Sequence, residues 1–212
     1  IVTGDFSGTA SVGGVSAGQT AFLPFSVNTA APGERLGSGE VAFSSDGAGT
    51  SGKGTLALPL LTQTVGLSAK VYRLAQTVVD GSVWSLGNYR VGDTVLSSTR
   101  SVSNGASADG YSDLLRVAAG ADVNGFGLTV TGGDLAAGAS KTFLARFGGD
   151  NQTPGVQTAT VQLMGTSVGQ AGTGLLDVSL SPVDMSLAAT FYRKAQAELV
   201  SGAAVDFGAI RE

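Results

Sequence analysis

A chain of 212 residues with 33 glycines, no cysteine, no histidine and only 13% charged residues departs from the ordinary soluble domain, about a quarter of which is charged. Without histidine or cysteine it can hold no Ser-His-Asp triad, thiolate nucleophile, zinc finger, disulfide or histidine-ligated metal, which leaves catalysis to carboxylate, lysine, serine or tyrosine. Twelve cations against sixteen carboxylates give a net charge of −4, and the cations stand singly, which argues against a nucleic-acid partner.

The chain opens on Ile1, without a signal-peptide pattern, and reads as a processed product or a piece of something longer. Its first stretch, Ile1 to Lys70, carries Phe22, Phe25 and Phe43 and a turn at Asp46-Gly47. The most apolar run, Leu56 to Leu61, contains Pro59 and falls far short of the roughly 20 residues of a membrane span. Leu74 to Val79 and Lys194 to Val200 could each form a short helix, but extended structure is expected at both. Val83-Trp-Ser-Leu86, Lys141 to Phe147, Thr158 to Leu163, Leu175 to Leu180 and Val205-Asp-Phe207 alternate apolar with polar residues, as half-buried strands do. Between them stand the punctuators Asn104-Gly105, Asp109-Gly110, Gly132-Gly-Asp134 and Gly148-Gly-Asp-Asn151. Short strands without a long amphipathic helix predict an all-β fold of antiparallel sheets.

Internal repetition organises the whole chain. A shift of about 120 residues lays Phe6 on Phe126, Ala17-Gly18 on Ala137-Gly138, Val41 on Val161, Leu67 on Leu187, Tyr72-Arg73 on Tyr192-Arg193 and Ala75-Gln76 on Ala195-Gln196. One residue further, Gly87 to Arg90 falls on Gly208 to Arg211. Such a period is too long for a solenoid repeat and suits an immunoglobulin-like β-sandwich of about 100 residues. The expected organisation is the C-terminal part of one repeat in residues 1–73, a complete repeat in 74–193, and the first strand of the next in 194–212. The first part would lack the stretch equivalent to Leu74 through Gly120, some three strands. Ile1 to Lys70 should then expose a sheet edge and an apolar face containing Phe22, Phe25 and Phe43.

Val71-Tyr-Arg-Leu-Ala75, Leu86 to Thr94, Ser101-Val-Ser-Asn104, Asp109-Gly-Tyr-Ser112, Leu135 to Ala139 and Ser44 to Gly52 resemble the repeats of bacterial choice-of-anchor D proteins, which are related to hydin-type immunoglobulin-like sandwiches. The resemblance spans the chain and rests on turn and strand residues. It implies export and attachment to a cell envelope, and it carries no catalytic residues. The second copy departs from it, with Met164 to Gln170 where the first has Ser44 to Thr50. Low charge with abundant Gly, Ser and Thr likewise resembles large exported bacterial surface proteins.

Few residues invite chemistry. Asp46 in its Gly-rich loop offers one carboxylate where calcium takes six to eight oxygens, so a hairpin turn is expected. Asp109 with Asp113, and Asp134 with Asp150, are weaker as metal sites or as a glycosidase pair. Trp84, the one tryptophan, could stack a sugar, but it aligns with Val205 as Leu86 does with Phe207, which marks a buried strand face. Tyr72-Arg73 and Tyr192-Arg193 are expected to pack at a sandwich end, with the Arg bonding carbonyls at the junction. Asn151-Gln-Thr153 matches a glycosylation acceptor but precedes Pro154.

No catalytic residue, cofactor or metal is expected. The chain reads as an extracellular or cell-surface stalk, spacer or filament segment whose partners are neighbouring repeats or copies, head to tail. One route is strand donation, in which Ala203 to Ile210 of one molecule adds to the open edge of the next. The other reading is an adhesin module binding a glycan, a cell-envelope ligand or a protein through Asn104 to Gly133.

Overall fold

The computed structural model describes residues 1–8, 11–95, 97–198, 208, 209, 211 and 212. Among them the fold is all-β, with fourteen strands and no helix. The first five strands are β1 (Val2–Gly4), β2 (Phe6–Ser7), β3 (Ser26–Val27), β4 (Gly33–Asp46) and β5 (Thr55–Val71). Their frame is the long antiparallel hairpin of β4 and β5, with β1 on the far side of β4 and β2–β3 as a separate two-stranded sheet. Pro59 has no N–H to give the ladder. The pairing accordingly slips there, from Val41 opposite Gln63 to Phe43 opposite Leu58. Phe6 and Phe25 lie over two glycines of β4. A side chain at Gly37 would meet the Phe6 ring at 2.8 Å, and one at Gly39 would meet Phe25 at 3.0 Å. The edge of β5 away from β4 has no partner among the described residues. Phe22 and Phe43 are exposed, as expected, whereas Phe25 is half-buried because Gly39 admits its ring.

The remaining strands are β6 (Thr77–Val79), β7 (Val83–Arg90), β8 (Ser98–Asn104), β9 (Leu114–Ala119), β10 (Phe126–Val130), β11 (Ser140–Phe147), β12 (Gly155–Val168), β13 (Val178–Ser179) and β14 (Val183–Tyr192). They form two sheets around one core. One sheet runs β6-β8-β11-β10; in the other, β12 pairs with β9 and with the interrupted strand made by β13 and β14, and β14 pairs with β7. All these pairs are antiparallel except β7 with β14, which run parallel and tie the start of this region to its end. That pairing is bulged at Leu86, and Gly87 takes a φ of 118° that an L side chain rarely adopts.

The core follows from the period-two alternation of the strands. Ala159, Val161 and Leu163 of β12 and Met185, Leu187, Ala189 and Phe191 of β14 face Val102, Phe126, Leu128, Phe143 and Ala145 of the opposite sheet. Trp84 is 3% exposed, edge-on to Phe143 at 5.7 Å between ring centroids. Its indole N–H donates to Ser98 Oγ, and Arg100 lies over its ring at 5.3 Å, so the ring is a core element rather than a platform for sugar. At the other end Phe126, Phe147, Phe191 and Tyr89 form a chain of tilted aromatic contacts.

Several expectations need correction. Residues 74–120 hold four strands rather than three, because the first strand divides into β6 and β7 and joins both sheets. Of Leu175 to Leu180 only Val178 and Ser179 pair, since Leu175 to Asp177 belong to a loop that bonds elsewhere. Of Leu74 to Val79 only Thr77 to Val79 form a strand, and Lys194 to Glu198 forms no regular element. The expected strand at Val205 to Phe207 lies outside the described residues.

Candidate functional site

The densest polar arrangement surrounds Tyr72-Arg73, where β5 ends and the sandwich begins. The Arg73 guanidinium reaches Asp109 at 2.8 Å and donates to the Ser107 carbonyl and to Ser112 Oγ. Its backbone N–H donates to the Tyr111 carbonyl and its own carbonyl accepts from Asp113 N–H, a parallel bridge opposite Ser112. The Tyr72 ring rests against Tyr111 at 5.9 Å. The expected bonding of Arg to carbonyls at the junction is thus seen at Arg73, with a carboxylate as a further partner. The Tyr111 N–H is the main cause that holds the Asp109 carboxyl below its ordinary value; desolvation opposes it, and the hydrogen bond and charge of Arg73 add to the lowering.

Behind this clasp lies a buried polar layer. Asn104 is fully buried and makes four bonds: its Oδ1 accepts from the N–H of Gln76 and Ala106, and its Nδ2 donates to the carbonyls of Asp113 and Leu135. One amide therefore ties four loop segments together. Ser167 Oγ donates to Asp113 Oδ2 at 2.8 Å and accepts from Ala75 N–H. This is a serine–carboxylate pair, but both residues are buried and the hydroxyl is engaged on both sides, so it offers no nucleophile to a substrate. Asp113 Oδ1 has no protein partner.

The other carboxylates that the sequence singled out are separately occupied. Asp109 and Asp113 do not act together, since one faces Arg73 at the surface and the other faces Ser167 inside. Asp134 takes a two-pronged bond from Arg116, which also holds Asp177, and this pairing raises the Arg116 pKa. Asp150 accepts from Thr153 Oγ1 and Gln152 N–H, which lower its pKa and close the Asn151-Gln-Thr153 turn. Asn151 Nδ2 is itself bonded to the Asp93 carbonyl. Asp46 accepts from Ala48 N–H within a tight turn. Among the described residues no three carboxylates gather to form a metal site, and no helix is long and apolar enough to cross a membrane.

Asn104 to Gly133 is less of a loop than expected, since β9 and β10 lie within it and residues 107–113 are committed to Arg73. Exposed apolar residues gather elsewhere, on the β4–β5 hairpin: Leu56, Leu60, Leu61 and Val65 are exposed, Leu60 at 98%. An open apolar concavity lined by Ala57 to Leu61 lies on it. The sequence expectation named only aromatics in this segment, Phe22, Phe25 and Phe43, whereas its exposed apolar residues include the leucines of β5 as well.

No family model and no curated protein matches the sequence. Among solved structures the chain is similar to domains 4 and 5 of the S-layer protein SbsC, at 12% identity and a TM-score of 0.33, over 80% of this chain and 64% of that one. It is similar too to a variant of the endo-fucoidan hydrolase MfFcnA4 from glycoside hydrolase family 107, at 8% identity and a TM-score of 0.29, over 92% of this chain and 24% of that one. The chain spans less than two thirds of either, and likenesses this faint carry no argument about its activity.

Proposed function

We propose that the chain is a stretch of a tandem array of immunoglobulin-like sandwiches with a mechanical, non-catalytic role, a stalk, spacer or scaffold at a bacterial cell surface. The observation that carries this reading is a recurrence of strand register. Phe6 pairs with Val27 as Phe126 pairs with Phe147, and Asn28 N–H donates to the Asp5 carbonyl as Gly148 N–H donates to that of Gly125. Each of these partners is displaced by the sequence period. The hairpins recur as well: Gly33 pairs with Val71 and Gly155 with Phe191, and both glycines follow a proline and hold φ near 130°. This register equates Gly39, rather than Val41, with Val161. Hydrogen-bond partners that repeat along with the sequence support a structural repeat of about 120 residues.

The strand order supports the immunoglobulin-like part of the reading. The first strand contributes to both sheets, and its second half closes the sandwich by running parallel to the last strand. Envelope attachment rests on the resemblance to choice-of-anchor D repeats. A mechanical role fits a surface on which Asp109, Asp134 and Asp177 are tied to arginines and Asp150 to its own turn, and where the 105–113 loop clasps the preceding segment.

Residues 73–193 expressed alone should unfold cooperatively, at a midpoint within a few degrees of that transition in the full chain. A broad, uncooperative transition would remove the array reading. A glycan and protein array probed with the full chain separates spacer from adhesin. Saturable binding abolished by replacing residues 105–111 would favour the adhesin, and no saturable binding favours the spacer.

A further inference from the structure

We infer that Asn104 is a deamidation site that the folded sandwich latches shut, so that prolonged opening is recorded covalently and made irreversible. This holds for a single sandwich, whether or not it belongs to an array. Asn104 is followed by Gly105, and a residue without a side chain leaves its backbone nitrogen free to approach the asparagine amide. In the reaction the Gly105 nitrogen bonds to Asn104 Cγ, the Cγ–Nδ2 bond breaks, and the departing amide takes up the Gly105 proton and leaves as ammonia. Water then opens the cyclic imide at either carbonyl, giving aspartate or isoaspartate at position 104. Asparagine and water become an acid and ammonia, with no oxidant or reductant involved.

The fold can dispense with neither residue. Asn104 is fully buried at the end of β8 and ties Gln76, Ala106, Asp113 and Leu135 together through bonds of 3.0 to 3.3 Å. A Cβ at Gly105 would meet Val78 Cγ2 at 2.6 Å. The sandwich therefore carries a reactive dipeptide, and it disarms it through Gln76, just ahead of β6. The Gln76 N–H donates to Asn104 Oδ1, and the Gln76 carbonyl accepts the Gly105 N–H at 2.8 Å. Both reacting groups are thus held by one residue, and burial keeps water from the side chain. When β6 leaves β8, both are released together. Once converted, position 104 has no N–H to give the carbonyls of Asp113 and Leu135 and brings a carboxylate against them. Isoaspartate also lengthens the main chain by one carbon, so neither product fits the closed sandwich.

Asn124-Gly125 is the internal reference. It is exposed at a two-residue turn between Val123 and Phe126, which exchange both backbone bonds, so an acid there faces water. The wild-type full chain is incubated at mildly alkaline pH in native buffer and in concentrated urea. After the urea is removed, folded and misfolded fractions are separated by size, and the acid at each position is measured by peptide mass spectrometry. In urea both asparagines should convert at comparable rates, and in native buffer Asn104 should convert about a hundredfold more slowly than in urea, or slower still. The folded fraction should be depleted in acid at 104, relative to acid at 124, by about tenfold or more. Conversion of Asn104 as fast in native buffer as in urea would overturn the latch, and an inert Asn104 in urea would overturn the site. Equal depletion at the two positions would overturn irreversibility.

Discussion

The β4–β5 and β12–β14 hairpins share a register and differ in almost everything that surrounds it. Leu187 is 1% exposed and Phe191 2%, whereas their counterparts Leu67 and Val71 are half-buried. The second hairpin is flanked by β7 and β9 and roofed by a second sheet; the first has three residues of β1 on one side and nothing described on the other. Register is set within a hairpin, by the alternation of its side chains and the bulge that interrupts it. Burial is supplied by other strands, so one pattern can be core in one place and surface in another.

Mutations divide along that line. The largest effect is expected at Trp84→Ala, about 3–5 kcal/mol off the sandwich transition in a denaturant titration, because the ring lies between Phe143 and Arg100 with its N–H bonded. A loss under about 1 kcal/mol would mean that the ring is at the surface and would reopen sugar stacking there.

Asn104→Ala comes next, at about 2–3 kcal/mol, since it leaves two buried carbonyls and two N–H groups without their partners. Asn104-Gly105 had read as an ordinary turn signal. The dipeptide does end a strand, but the bonds that bury Asn104 go to Gln76, Asp113 and Leu135, and no local pattern announces partners so far along the chain. The Asp113–Ser167 pair was hidden for the same reason, its members being 54 residues apart. Trp84, by contrast, was legible as core because a second copy of its strand shows which positions stay apolar. The all-β class was legible from alternation and turn residues, both of them local. The division of the first strand between two sheets was not, since it depends on which neighbours each half meets.

A smaller effect belongs to the clasp at Arg73. The Tyr111 N–H and Arg73 hold the Asp109 carboxyl below its ordinary value of 3.8 in the folded chain. Its contribution is therefore complete above that unfolded value and is lost as pH falls through the lower folded one, a window below about pH 4. Melting curves of the wild type and Asp109→Asn should differ by a constant amount between pH 5 and 8 and converge toward pH 2–3. A difference that persists unchanged at pH 2 would locate the effect in packing rather than in the carboxylate.

The smallest effect on stability is expected where the apolar residues are most conspicuous. Leu60 is 98% exposed and Phe22 89%, so neither has a packing contact to lose, and Leu60→Ser and Phe22→Ser should change the unfolding free energy of the isolated chain by no more than about 0.5 kcal/mol. By sequence alone Leu60, in the most apolar run of the chain, would be placed in a core ahead of Ala145 or Ala189. The order reverses because those alanines lie between two sheets and Leu60 lies on one face of a hairpin. Measured at nanomolar concentration, where copies are apart, a null result would confirm that the face is uncovered. Repeated at tens of micromolar, Leu60→Ser that unfolds at a lower temperature than wild type would show that association covers it. A loss above about 1.5 kcal/mol at nanomolar concentration would instead mean that the chain covers this face with its own residues, and the contrast between the two hairpins would vanish.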